Sequence, residues 1–190
     1  LKAWPDREYN IEGNPFHNLM GFVRAVRRLR EPFYLVCGYG ETGRLICQAL
    51  DRMGLRAVVV EVDESKVGEL DLHAYAADVP ALCADAGNPE TLQFAGLTHP
   101  SCIGVLALTN DDATNLAIAI SARLLAPRTD GPLLIVGAGV QGRSHLEAFH
   151  TGLGVQEVWV ASRSAASADA LPELDPPGSQ PGAIALRGTP

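Results

Sequence analysis

The chain has 190 residues, 47% of them hydrophobic, and a formal net charge of −7. That length and apolar content fit one α/β domain with additional segments, since domains commonly run to about 100–200 residues. The acidic balance excludes a general nucleic-acid binder, which needs surplus Lys and Arg for the phosphates.

The charge is uneven. Residues 1–30 carry six basic and three acidic side chains, the remainder nine and nineteen, which reads as a basic arm on an acidic globule. The longest apolar run, residues 116–126, contains Arg123 and falls short of the ~20 residues that span a bilayer. The chain opens on Leu1, without Met or a signal pattern, and we read it as a piece of a longer polypeptide. Cys37, Cys47, Cys83 and Cys102 show neither C-x-x-C spacing nor metal-spaced His partners, so they read as thiols of a reducing cytosol, three of them in apolar contexts.

Residues 1–15 are polar, with Pro5, Gly13 and Pro15, and read as linker. Over residues 16–30, Phe16, Leu19, Met20, Phe22, Val23, Val26 and Leu29 recur near helical spacing, and Arg24, Arg27, Arg28 and Arg30 fill much of the rest. Such a basic amphipathic helix either packs on the following domain or lies near an anionic membrane surface. Glu31-Pro32 ends it, because the residue before proline leaves helical geometry.

A regular alternation follows. Residues 33–37 read as a strand, 42–53 as a helix stopping near Gly54, and the β-branched run 57–61 as a strand buried on both faces. A helix over 64–77 and a short strand over 81–84 come next. Asn88-Pro89-Glu90 opens a helix, with Asn as cap, Pro at the first position and an acid in the first turn. Then come a strand over 103–108 and a helix capped by Asp111 or Asp112 that runs to about Leu125. A strand over 133–136, a helix from about Gly142 to His150 and a strand over 155–161 complete the series. From Ser164, Pro172, Pro176, Pro177 and Pro181 sit among Ala, Ser and Gly, so residues 164–190 are expected to be a flexible tail. Strands alternating with helices imply an α/β, doubly wound, Rossmann-like parallel sheet of about six strands. The expected division is a linker and basic helix over 1–31, one nucleotide-binding domain over 32–163, and the tail.

Two glycine fingerprints stand in strand-turn-helix context. The first is Gly38-Tyr39-Gly40-Glu41-Thr42-Gly43; the second is Gly137-Ala138-Gly139-Val140-Gln141-Gly142. In such a motif the first glycine permits the tight turn, the second lets the backbone approach a pyrophosphate, and the third allows close helix–strand packing. The helix start then presents its N–H groups to the phosphates. The first copy is followed by Glu61, placed to accept hydrogen bonds from an adenosine ribose and to repel the 2′-phosphate that marks NADP. Asp85-Ala86 leaves the third strand where an adenine would lie, and Asn110 and Asp111 leave the fourth at the crevice. Turn and cap chemistry explains Asp85, Asn110 and Asp111 equally well. After the second copy comes Ser162-Arg163-Ser164, which would suit the 2′-phosphate of NADP. The favoured reading is that residues 133–163 supply the last two strands of the first sheet. His17, His73, His99, His145 and His150 form no recognisable pair with a carboxylate motif, so no catalytic residue and no metal ligand is assigned. A binding module fits better than an enzyme.

Over residues 33–127, the first fingerprint, Glu61 after Val58-Val59-Val60, Asp85-Ala86 with Asn88-Pro89-Glu90, and Leu108-Thr109-Asn110-Asp111-Asp112 with Asn115-Leu116 occur in that order. The set resembles the N-terminal lobe of the RCK (TrkA-N, KTN) domain of potassium channel and transporter regulators. The resemblance implies a Rossmann lobe that binds NAD(H) or ATP/ADP, pairs as a homodimer or higher homo-oligomer, and gates a potassium-conducting membrane subunit from the cytoplasmic face. It assigns residues 38–43 to the pyrophosphate turn, Glu61 to the ribose, Asp85 and Ala86 to the adenine, and Asn110 and Asp111 to the crevice. From about Pro132 the chain departs: residues 137–148 and 158–164 are similar to the NAD(P)-binding unit of the ornithine cyclodeaminase and mu-crystallin family. That likeness implies the alternative, an NAD(P)-dependent oxidoreductase or cyclodeaminase-like fragment with NADP at residues 137–142 and Arg163.

Overall fold

The computed structural model describes residues 19–127, 132–136, 139–155 and 157–161. The chain divides into two compact units, Leu1–Pro127 and Arg128–Pro190.

In the first unit α1 (Leu19–Arg28) leads into β1 (Phe33–Cys37), α2 (Glu41–Arg52), β2 (Arg56–Glu61), α3 (Glu64–Asp71), β3 (Ala81–Cys83), α4 (Pro89–Phe94), β4 (Cys102–Ala107) and α5 (Asp112–Leu125). The strands form a parallel sheet in the order β3-β2-β1-β4. Successive side chains of a strand point to opposite faces, and the core divides accordingly. Phe33, Leu35, Cys37, Val58 and Val60 join Phe22 and Val26 of α1, Leu92 of α4 and Ile118 of α5 on one face. Val36, Ala57, Val59 and Ala81 join Cys47 and Leu50 of α2 and Val67 and Leu70 of α3 on the other. The burial of Phe22 and Val26 decides between the two readings of the basic helix: its apolar face is packed into the domain.

The helix expected over 64–77 ends at Asp71. Leu72 and His73 N–H close the last turn on the Glu69 and Leu70 carbonyls, both at 3.1 Å, His73 Nδ1 lies 2.9 Å from the Glu69 carbonyl, and the Ala76 N–H donates to the Asp51 carboxylate at 3.0 Å.

The second unit contains β5 (Leu133–Val136), α6 (Val140–Leu153) and β6 (Val158–Ala161). β5 and β6 pair in parallel, from Leu133↔Val158 to Val136↔Ala161, and with α6 bury Ile135, Leu146 and Val158. α6 ends on Gly154, left-handed at φ 63°, the conformation glycine adopts without Cβ strain. All six expected strands are present: β1–β4 hydrogen-bond as a sheet of four and β5 and β6 as a sheet of two. The tail over 164–190 and the linker over 1–15 lie outside the described residues. Among the described residues, no helix is long and apolar enough to cross a membrane.

Candidate functional site

The strands of the first unit are parallel, so the turns after β1, β2, β3 and β4 share one edge of the sheet. The chain reverses its winding between β1 and β4, and such switch points are where open α/β sheets bind ligands. The first fingerprint sits there, and each glycine has a separate reason. Gly38 has φ 103°, and a Cβ on it would lie 2.8 Å from the Leu108 carbonyl. Gly43 packs its Cα on the turn itself, where a Cβ would come within 2.0 Å of the Gly38 oxygen. Gly40 is the N-cap of α2, at φ −71° and ψ −165°, with no side-chain cap and open space where a Cβ would stand. The backbone at the start of α2 is thus bare on the side where an anion would approach.

Glu61 closes β2 beside this turn and is only 6% exposed. Its Oε2 accepts the Tyr39 backbone N–H at 2.5 Å, and its Oε1 accepts the Asp63 N–H at 2.9 Å. One carboxylate therefore ties the glycine turn to the β2–α3 turn. An ionised carboxylate has about four acceptor positions, and these two bonds leave capacity for a ligand hydroxyl. The Tyr39 side chain turns inward: it is buried, and its hydroxyl lies 2.6 Å from that of Tyr75. Burial raises the pKa of both phenols. Only the backbone of Tyr39 faces the rim. Tyr75 was not singled out from sequence, and nothing in its spacing could have paired it with residue 39.

The other two turns are built on Asx caps. Asp85 Oδ1 accepts the Gly87 N–H at 2.8 Å, while Ala86 is buried among the core residues. Asn88 accepts the Glu90 N–H at 2.9 Å. Asp111, not Asp112, caps α5, accepting the Thr114 N–H at 2.7 Å, and hydrogen bonds from the Thr114 side chain and then its backbone hold its carboxyl below the ordinary range. Asp63 caps α3 in the same way, its pKa lowered by Ser65. Asn110, Glu41 and Thr42 are exposed at this edge. Carboxylates dominate here: Glu41, Glu61, Asp63, Glu64, Asp85, Asp111 and Asp112 stand against Arg44 and Lys66, and Lys66 lies 3.9 Å from Asp63. The turn chemistry expected of Asp85 and Asp111 is thus present, on the same edge as the glycine turn.

In the second fingerprint Gly137 and Ala138 lie outside the described residues, as does Arg163. Gly139 caps α6 at φ −78° and ψ −167°, again without a side-chain cap and with open space at its Cβ position. Among the described residues no cluster of His, Cys, Asp and Glu could hold a metal ion.

The model of the TrkA-N domain matches residues 34–161. The match runs beyond Pro127 and takes in the β5–α6–β6 unit, which was read from sequence as a departure. Potassium channel protein 1 of Methanocaldococcus jannaschii is 26% identical over 121 residues, 62% of this chain and 34% of that protein. A pyridoxine 5′-phosphate synthase of Albidiferax ferrireducens is 53% identical over only 36 residues, 19% of this chain and 14% of that one. The chain thus spans about a third or less of the curated relatives it matches. Among solved structures, the NAD(P)-binding domain of an exopolyphosphatase-related protein from Archaeoglobus fulgidus superposes with a TM-score of 0.53 at 19% identity, over 74% of this chain and 94% of that one. That likeness carries the Rossmann-like fold. With the family model spanning most of its length, the chain belongs to the TrkA-N domain family.

Proposed function

We propose that this chain is the regulatory nucleotide-binding module of a potassium channel or potassium-uptake system, working at the cytoplasmic face of the membrane. The observation that carries the reading is the bare N-cap of α2 at Gly40, set beside the buried Glu61 carboxylate at the switch point. The diphosphate rests on the backbone at the start of α2, and the free acceptor positions of Glu61 take the adenosine ribose hydroxyls. Family membership and the likeness to a potassium channel protein support a pore subunit as partner. Pairing with a second lobe is part of the same proposal.

Charge selects among nucleotides. Glu61 repels a 2′-phosphate, and the surrounding carboxylates disfavour the additional phosphates of NADPH and ATP. The proposed ligand is therefore NAD(H), with ATP/ADP as the weaker alternative. Equilibrium titration tests this directly. NADH is expected to bind about tenfold or more tighter than NADPH, a difference of about 1.4 kcal/mol. Glu61→Gln, which removes the charge, is expected to narrow that ratio. Equal affinities in the wild-type protein would contradict the assignment. For the gating role, potassium flux through the full-length system should respond to NADH and lose that response in Gly40→Ala.

A further inference from the structure

One side chain holds the β4–α5 turn. Asn115 lies in the first turns of α5 and folds back on Thr109. Its Oδ1 lies 3.0 Å from the Thr109 backbone nitrogen, which donates, and 2.8 Å from the Thr109 hydroxyl. Its Nδ2 donates to the Thr109 carbonyl at 2.9 Å. The two backbone partners fix the amide orientation, because the N–H needs an acceptor and the carbonyl needs a donor. The hydroxyl has one proton, which Asn115 Oδ1 and the Asp111 carbonyl at 3.1 Å both attract. Asn115 thus closes a ring around a single residue.

That residue is also a wall of the glycine turn. A Cβ on Gly38 would lie 2.9 Å from the Thr109 nitrogen, so the two backbones are already in contact. Gly38 stands between two flanks: its N–H donates to the Val60 carbonyl of β2 at 2.8 Å, and the Leu108 N–H after β4 donates to the Cys37 carbonyl at 2.8 Å. Glu61 guards the β2 flank. Thr109 and Asn115 shape the β4 flank.

We propose that Asn115 is a positioning residue: through Thr109 it sets the β4 half of the crevice and so favours a dinucleotide over a mononucleotide. The inference rests on the nucleotide reading above. The adenosine half meets Glu61, and the second half of a dinucleotide crosses Gly38 to the Thr109 flank. Loss of the latch therefore weakens a ligand that spans both flanks and spares one confined to the first.

The test is calorimetric titration of the wild-type chain, Asn115→Ala, Thr109→Val and Thr109→Ser with NADH and with AMP. Asn115→Ala is expected to weaken NADH about tenfold and to leave AMP unchanged. Thr109→Val removes the hydroxyl at constant volume and should follow it, which keeps the test valid if Asn115→Ala fails to fold. Thr109→Ser should restore wild-type NADH affinity. Amide hydrogen exchange at residues 108–112 of the unliganded protein should quicken in Asn115→Ala. Equal losses for both ligands, or unchanged NADH affinity, would overturn the latch and leave the nucleotide reading standing. A wild-type chain that binds neither ligand would overturn both.

Discussion

The two glycine turns of this chain are nearly the same object in different surroundings. Gly40 and Gly139 cap α2 and α6 with dihedrals a few degrees apart, both without a side-chain cap and both open where a Cβ would stand. Around Gly40 stand a four-stranded sheet covered by helices on both faces, a buried carboxylate at the end of β2 and a latched turn after β4. Around Gly139 stands a two-stranded sheet with three buried core residues. In the first unit the ends of β2 and β4 flank the turn, through Gly38 N–H to Val60 and Leu108 N–H to Cys37.

Glycine substitutions break this comparison hardest. Gly43→Ala drives a Cβ into the Gly38 oxygen, so it should destabilise the first unit by about 3 kcal/mol, read from urea unfolding. Gly139→Ala meets nothing and should cost about 1 kcal/mol or less. A comparable loss from both would mean that the packing of Gly43 on the Gly38 oxygen does not hold the first turn.

Glu61→Ala comes next. It leaves the Tyr39 and Asp63 N–H groups without their acceptor, a penalty of about 1–3 kcal/mol, and the same change should weaken NADH. Unchanged stability would show that the carboxylate does not hold the turn. Thiol chemistry probes the first unit from inside. Burial raises the pKa of Cys37 and Cys47 to about 12, so in the folded chain both should resist alkylation at neutral pH while the half-buried Cys83 and Cys102 react first. Rapid labelling of Cys37 would mean that the sheet opens readily.

The smallest effect is that of acid. Asp63 and Asp111 have folded-state pKa values below their ordinary ones, so their caps stabilise the fold fully above the ordinary carboxylate range. That contribution fades as pH falls through the lowered values. Acid should therefore loosen the starts of α3 and α5, whereas the glycine-capped starts of α2 and α6 have no capping carboxylate to lose. Amide exchange at Ser65 and Thr114 between neutral and acidic pH would show it. Asp111→Asn should remove the acid sensitivity at Thr114.

Much of this was legible in the residues. The six strands were legible as short apolar runs alternating with helical segments, and the β-branched run of β2 as one buried on both faces. The tight turn at Gly38 and the close packing at Gly43 followed from spacing, since backbone geometry there demands glycine. Asn88 and Asp111 were readable as caps because capping is local. What failed was non-local. The end of α3 is one case: beyond it the Ala76 N–H is taken by Asp51 of α2, a contact that no periodicity encodes. The inward turn of Tyr39 and the grip of Asn115 on Thr109 belong to the same class.

The central claim is that the first glycine turn, not the second, receives the nucleotide. Calorimetric titration of NADH into Gly40→Ala and Gly139→Ala tests it most directly, because neither substitution meets a neighbouring atom in the folded chain. We expect binding to be lost in Gly40→Ala and retained in Gly139→Ala; the reverse pattern would contradict the account.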